Sequence, residues 1–206
     1  MNGDVRLAGA ALCCFAAAWA LGAYVAHRPL APLDVESIAL RGRGTRLAVL
    51  FTRSGYWPAL TGMCMVVAAA ELTLRGSIAF ALVLGGVQLV AQGACGITKA
   101  AFKRIRPDDW LYHRELGFSF PSGHAATAAL FYGGVLLFVW TASLPLAIGL
   151  LASIVPAIIM VGIPWSRMVL SAHYATDVIG GLIFGTGWFC LLLLVLGHFP
   201  AAHIFF

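Results

Sequence analysis

Charge is what this sequence has least of. Asp, Glu, Lys and Arg make up 10% of it against 61% apolar residues. A soluble domain carries about 25% charged residues and an apolar share nearer one half. That class is excluded, and a bilayer is the solvent the composition calls for. No internal repeat, low-complexity tract or long polar linker interrupts the 206 residues, so a solenoid and a multidomain layout are excluded and one domain over 1–206 is expected. The cysteines Cys13, Cys14, Cys64, Cys95 and Cys190 form no C-x-x-C pair and lie in apolar runs away from histidines and carboxylates. A disulfide framework and a zinc motif are excluded, and the thiols read as small buried residues within helices.

A net charge of +5 suits nucleic acid in general, but the basic residues here lie between hydrophobic runs and not along an amphipathic helix. Anionic lipid headgroups or phosphate substrates are the expected partners, with the bilayer itself, no nucleic acid and no obligate protein partner.

What is present is a series of long apolar runs. About 20 residues at a rise of 1.5 Å cross a hydrocarbon core of about 30 Å, and runs of that order occupy 7–26, 56–74, 77–97, 122–141, 144–162 and 172–197. The expected fold is all-α, a polytopic six-transmembrane-helix bundle. The first run, with Arg6 before it and small residues at Ala23 and Ala26, resembles a signal peptide, but it exceeds a typical h-region and is read as a retained helix. Between it and the second run, His27 to Gly55 interleaves Arg28, Asp34, Glu36, Arg41, Arg43, Arg46 and Arg53 with Leu33, Ile38, Leu47, Leu50 and Phe51. That mixture is too polar to span and suits a segment lying flat in the interface.

Tyr56 and Trp57 open the second run as interfacial anchors, and Arg75-Gly76 is a tight turn. Gln88 and Gln92 share one helix face and read as interhelical hydrogen bonders. Lys99 lies seven residues on and Arg106 seven further. If the helix continues, they extend a single polar stripe. Pro156 is tolerable as a kink within a bundle, whereas Pro164 is expected to end the fifth helix and leave Ser166 and Arg167 in a connection. Gly181-x-x-x-Gly185 suits close helix packing. His198 and His203 have no evident partner and are assigned to solvent or headgroups.

Three strings of polar residues stand out: Lys99-x6-Arg106-Pro107, Pro121-Ser122-Gly123-His124, and Ser166-Arg167-x5-His173-x3-Asp177. The first follows span three, the second precedes span four and the third lies between spans five and six, so all three share one membrane face. Pro121 fits a first helical turn with Ser119 or Phe120 as its cap. The amides of Ser122, Gly123 and His124 would then point out of a helix end that favours an anion. His173 and Asp177, four apart, can pair as an imidazole oriented by a carboxylate. A structural pair remains an alternative, and no third ligand at suitable spacing supports a metal site. Lys99 and Arg106 either snorkel to headgroups or grip an anion.

Together the three strings resemble the signature of the type 2 phosphatidic acid phosphatase family, which includes the lipid phosphate phosphatases and is similar to the vanadium haloperoxidases. The signature covers 99–177. The resemblance implies a phosphatase of membrane lipids that needs no cofactor or metal, in which His173 attacks phosphorus to give a phosphohistidine and Asp177 orients it. His124 would protonate the leaving oxygen and then activate water. Lys99, Arg106, Arg167, Ser122 and the Gly123 amide would hold the phosphate oxygens. Undecaprenyl diphosphate, phosphatidylglycerol phosphate, phosphatidic acid and lipid A phosphates all offer a suitable terminal phosphate. A lipid-to-lipid phosphotransferase and a non-enzymatic transporter or binder of anionic lipids are the alternatives.

Sidedness is a conflict within the sequence. Arg28, Arg41, Arg43, Arg46, Arg53, Lys103, Arg104 and Arg114 fall on the face of the three strings, against Arg6 and Arg75 on the other. The positive-inside rule then places that face in the cytoplasm. The bacterial proteins the chain resembles present it to the periplasm. Basic residues selected for phosphate bias the count, so a bacterial inner membrane with the site facing the periplasm is the expectation.

Overall fold

In lipid the backbone has no water to bond, so each apolar run must satisfy its own N–H and C=O groups as a helix. The computed structural model describes residues 2–28, 30–112 and 115–198, and among these all regular structure is helical. His203 and Arg114 lie outside the described residues. Six segments are long and apolar enough to span: Gly3–Ala26, Trp57–Arg75, Ala79–Phe102, Gly123–Thr141, Leu146–Val169 and Ala175–His198. They correspond to α1 (Asn2–Ala26), α4 (Trp57–Arg75), α5 (Ala79–Phe102), the fourth span, α8 (Leu146–Val169) and α9 (Ala175–His198). The fourth span is built from α6 (Gly123–Thr127), a π-helical turn (Ala128–Tyr132) and α7 (Gly133–Thr141). Two short helices, α2 (Pro32–Ile38) and α3 (Thr45–Arg53), fill the interfacial segment before α4.

Helix α9 is the axis of the bundle, with α1 along one side and the fourth span along another. Phe15 of α1 meets Phe184 and Trp188 of α9 edge to face, while Asp4 and His198 stand 4.0 Å apart at the far end. His198 also bonds through Nδ1 to the Leu194 carbonyl at 2.9 Å, so it has a partner that the sequence did not suggest. On the side facing the fourth span, a Cβ at Gly181 would lie 2.3 Å from the Ser122 carbonyl oxygen and one at Gly185 2.3 Å from that of Ala126. The glycine pair is therefore where backbone meets backbone, as its spacing predicts.

The glutamines also act between helices, since Gln88 and Gln92 both donate to Thr127 Oγ1, at 2.8 and 2.6 Å. At the opposite membrane face, the buried Glu71 receives the first amides of α5, from Phe80 at 2.9 Å and Ala81 at 3.0 Å. With Ser77 Oγ, which accepts from the Ala79 amide at 3.0 Å, it caps the start of α5.

Four expectations are corrected. Helix α5 ends at Phe102, because Lys103 turns left-handed at φ 50°; Arg106 is not on the stripe that carries Gln88, Gln92 and Lys99. Pro164 does not end the fifth helix, which runs on to Val169 with Pro156 and Pro164 inside it, so Ser166 and Arg167 are helical. Pro121 is not a first-turn residue: its peptide bond with Phe120 is cis, Ser122 is the cap and α6 begins at Gly123. Of the cysteines only Cys95 is buried, Cys13 being exposed and the others between these extremes.

Candidate active site

The three strings meet at the membrane face where α5 ends and α6 and α9 begin. Lys99, in the last turn of α5, sends Nζ to the carbonyls of Phe118 and Ser119 at 2.9 and 3.2 Å, tying the helix to the loop that leads into α6. Arg106, beyond the end of α5, folds back onto the start of α9. Its Nη1 donates to the Ala172 carbonyl at 3.0 Å and lies 3.0 Å from His173 Nε2. The reach is short because Ala172 and His173 turn back over the end of α8, both amides bonding to the Arg167 carbonyl.

His173, Arg106, Lys99, Gly123 and His124 all line one cavity of about 190 Å³, roughly six times the ~30 Å³ share of a single water. Gln92, Gly55, Tyr56, Trp57, Leu60 and Glu115 complete its wall. The His124 ring stands edge-on to Tyr56 with centroids 4.7 Å apart, and its Nε2 is buried with no hydrogen-bond partner among the described residues. Gly55 closes behind it: a Cβ there would lie 2.4 Å from His124 Cδ2.

His173 lies just before α9 and is 3% exposed. Burial, reinforced by the positive charges of Arg106, Lys99 and Arg167, holds its pKa well below the ordinary histidine value. The ring is neutral, with its Nε2 lone pair facing a guanidinium. Asp177 sits in the first turn of α9 and is fully buried. Its Oδ2 is 3.7 Å from His173 Nδ1, too far for a direct hydrogen bond. That oxygen accepts instead from Ser119 Oγ and from the Tyr174 amide at 3.0 Å.

Ser122 and Arg167 stand behind the wall. The Ser122 side chain accepts from the Ala125 amide at 3.4 Å and its own amide donates to the Asp177 carbonyl at 2.9 Å, so it ties α6 to α9 and is not among the cavity-lining residues. Arg167, 1% exposed, reaches Thr52 Oγ1 of α3 and Glu115 Oε1.

Glu115 is the residue that the sequence reading passed over. Its carboxylate is held by Arg167, by Arg106 at 3.2 Å and by the Tyr56 hydroxyl at 3.1 Å. Burial alone would raise its pKa, but Arg167 and the neighbouring cations pull it far below the carboxylate range. An anion thus already sits among the cations expected to hold a phosphate. Arg104 and Asp34 were also missed. Arg104 bridges Asp34 Oδ2 and Asp177 Oδ1, each at 2.6 Å, and Asp34 also accepts from Thr176. The interfacial helix α2 is therefore bound to the start of α9 by a buried row of three charges. For Arg104 a signal was available: spaced two from Arg106, it shares a side with it in any extended run.

Two imidazoles, a lysine and an arginine around a small cavity at a membrane face, with a second arginine behind Glu115, are equipped to receive a tetrahedral oxyanion and to move protons beside it. Residues 77–199 match the model of the PAP2 superfamily. The chain belongs to that superfamily. Among PAP2 relatives, it is 35% identical over 98 residues to phosphatidylglycerophosphatase B of Bacillus subtilis (strain 168), covering 47% of this chain and 48% of that protein. It is 33% identical over 106 residues to the lipid A 1-phosphatase of Rhizobium etli, covering 47% of this chain and 41% of that one. The matched segment thus spans less than half the length of either. The fold matches the crystal structure of a transmembrane PAP2 type phosphatidylglycerolphosphate phosphatase from Bacillus subtilis, with a TM-score of 0.67 and 24% identity over 94% of this chain and 95% of that one.

Proposed function

We propose that this PAP2 protein hydrolyses a terminal phosphate of a phospholipid or polyprenyl diphosphate through a phosphohistidine, without a metal. The observation that carries the reading is that His124 and His173, 49 positions apart in sequence, line one cavity with Lys99 and Arg106.

The neutral Nε2 of His173 attacks phosphorus; the P–N bond forms as the P–O bond to the lipid breaks, and His124, protonated in this step, gives its proton to the departing oxygen and becomes neutral. Water then loses a proton to His124 and attacks phosphorus, the P–N bond breaks, and phosphate leaves with both rings restored. Arg106 donates toward Nε2 in the resting arrangement, so an incoming phosphate takes over that guanidinium and uncovers the lone pair. Lys99, Arg106 and the Gly123 amide lie at the cavity and Arg167 behind Glu115; their charge offsets that of the equatorial oxygens. The site lies next to an outer cleft of about 680 Å³ that shares Arg106 and Glu115 with it.

The relatives' names put phosphatidylglycerol phosphate and the 1-phosphate of lipid A beside phosphatidic acid and undecaprenyl diphosphate as candidate substrates. For sidedness, a site facing the periplasm of a bacterial inner membrane is supported by the fate of the basic residues. Arg104 is buried between two carboxylates, so its place on this face is set by the site and it is not a free loop charge in the positive-inside sum.

The test is phosphate release from each of these four lipids by purified protein in detergent micelles after exhaustive chelation. Release that persists in the chelator and disappears in His173→Ala is expected. Release restored only by a divalent ion contradicts the metal-free scheme, and no release from any lipid favours a transporter or binder. Access of an impermeant protease to residues 108–120 from outside the cell decides sidedness.

A further inference from the structure

The pairing of His173 with Asp177, on which the proposed reaction rests, is not a direct one. We infer that Ser119 is a positioning residue for the attacking imidazole: its hydroxyl stands between His173 Nδ1 and Asp177 Oδ2 and carries the carboxylate's hold across to the ring. Ser119 Oγ is 3.3 Å from Nδ1 and hydrogen-bonded to Oδ2, while Nδ1 and Oδ2 themselves are 3.7 Å apart.

Donor and acceptor roles along this line have a single solution. A guanidinium has only N–H groups to offer, so Arg106 Nη1, 3.0 Å from His173 Nε2, donates and Nε2 accepts. The neutral ring therefore carries its proton on Nδ1. That proton needs an acceptor, and Ser119 Oγ is the atom within reach. An ionised carboxylate cannot donate, so the serine hydroxyl gives its own proton to Asp177. Every contact along the line then joins a donor to an acceptor, and the lone pair is left on Nε2, which faces Arg106.

The serine is itself fixed. It is fully buried, its amide donates to the Arg104 carbonyl at 2.8 Å and its carbonyl receives Lys99 Nζ at 3.2 Å. Beyond Asp177, Arg104 Nη1 holds Oδ1 at 2.6 Å, and the Tyr174 amide shares Oδ2. Asp177 Oδ2 is thus supplied with two donors without the histidine. When the P–N bond forms, the ring becomes cationic, and the hydroxyl passes the stabilising influence of the carboxylate to it through two hydrogen bonds in series.

Ser119→Ala, Ser119→Thr, Asp177→Ala and the Ser119→Ala/Asp177→Ala pair, assayed with dioctanoyl phosphatidic acid in detergent micelles, test the inference. Ser119→Ala is expected to lower kcat by about 10–100-fold with KM within about twofold, as for an interaction made mainly in the transition state. Ser119→Thr, which keeps the hydroxyl, is expected to restore most of the loss. The double variant is expected to be little worse than Asp177→Ala alone, since both remove one line of contacts. Wild-type kcat in Ser119→Ala, or multiplicative losses in the double variant, overturns the relay. Should Ser119→Ala fail to fold, Ser119→Cys decides: a thiol is a weak donor, so a kcat near that of wild type overturns the relay and a large loss beside an active Ser119→Thr supports it. Failure of the hydrolysis reading itself is distinguishable, because the unaltered protein then releases no phosphate.

Discussion

Glu115 accepts a hydrogen bond from Arg167 Nη2 while its other carboxylate oxygen faces Arg106 at 3.2 Å, so an internal anion occupies the cations that a phosphate needs. Both cannot be held by the same two guanidiniums. Binding an oxyanion therefore includes the cost of expelling the carboxylate, and neutralising it removes a competitor. Glu115→Gln is expected to lower the inhibition constant of inorganic phosphate about tenfold, equivalent to ~1.4 kcal/mol. Competitive inhibition measured against the lipid substrate checks this. Weaker phosphate binding in the variant would mean that Glu115 orders the arginines more than it blocks them.

The pH dependence follows from His173. In the proposed reaction its neutral form attacks, and burial together with Arg106, Lys99 and Arg167 holds its pKa well below 6.5. A lowered pKa keeps the ring deprotonated further into acid, so the acid limb of kcat/KM falls below pH 6.5, after correction for the substrate's own ionisation. The alkaline limb reports loss of the proton that His124 must donate, which makes the profile bell-shaped. Linkage runs the same way: the unfolded chain binds a proton near pH 6.5 where the folded one does not, so stability contributed by the neutral ring is present above that value and lost as pH falls below it. An acid limb at or above pH 6.5, or a rate that rises steadily from acid to alkaline, counts against this assignment.

What was legible in the sequence was what depends on neighbours along the chain. Spans follow from uninterrupted apolar runs, the glycine pair from its spacing of four, the glutamines from a shared helix face, and the convergence of the three strings from counting spans. What was not legible depends on residues brought together from far apart. Glu115 sits in a loop with no periodicity, and nothing local tells that it will meet Arg167, 52 positions on. Asp34 looked like one more charge in an interfacial segment until Arg104, 70 positions away, was placed on it.

The helix ends failed for a related reason. From sequence, proline reads as a terminator at Pro164, as it is in water. In lipid, breaking a helix leaves carbonyls and amides with nothing else to bond, and a neighbouring bundle can carry the kink. Continuation to Val169 puts Arg167 on a rigid helix, where a loop would have held it loosely.

Gly55 gives a test of how tightly His124, the proposed general acid, is held. The residue lies immediately before the interfacial anchors Tyr56 and Trp57, and a methyl group there would stand 2.4 Å from His124 Cδ2. Tyr56 confines the ring on another side, so the imidazole has to shift to make room. Gly55→Ala is expected to lower kcat by about 100-fold, the loss that a displacement of about 1 Å in a catalytic group produces, while the variant still folds and binds inorganic phosphate. Unchanged kcat would show that the ring is free to move on the opposite side.

Arg104 is the residue whose removal should cost the fold most. Its guanidinium lies between Asp34 and Asp177, both fully buried, and over the Tyr174 ring at 4.7 Å from the centroid. Arg104→Met leaves two carboxylates in one dry site with no cation between them. Breaking a buried charge pair from one side is destabilising by about 3–5 kcal/mol, and here two pairs share the cation. Arg104→Lys keeps the charge but cannot donate from two nitrogens in a fork, so it should lie between. Asp34→Asn is milder still, because the amide can accept from Thr176 and one carboxylate remains paired. Denaturant unfolding in detergent ranks the three. The order matters beyond stability, since Asp177 Oδ1 is fixed by Arg104 and a variant that unfolds least should also retain the most turnover per folded molecule. A stability loss in Arg104→Met below about 1 kcal/mol would place it in the range of an exposed ion pair and show that water reaches the carboxylates once the arginine is gone.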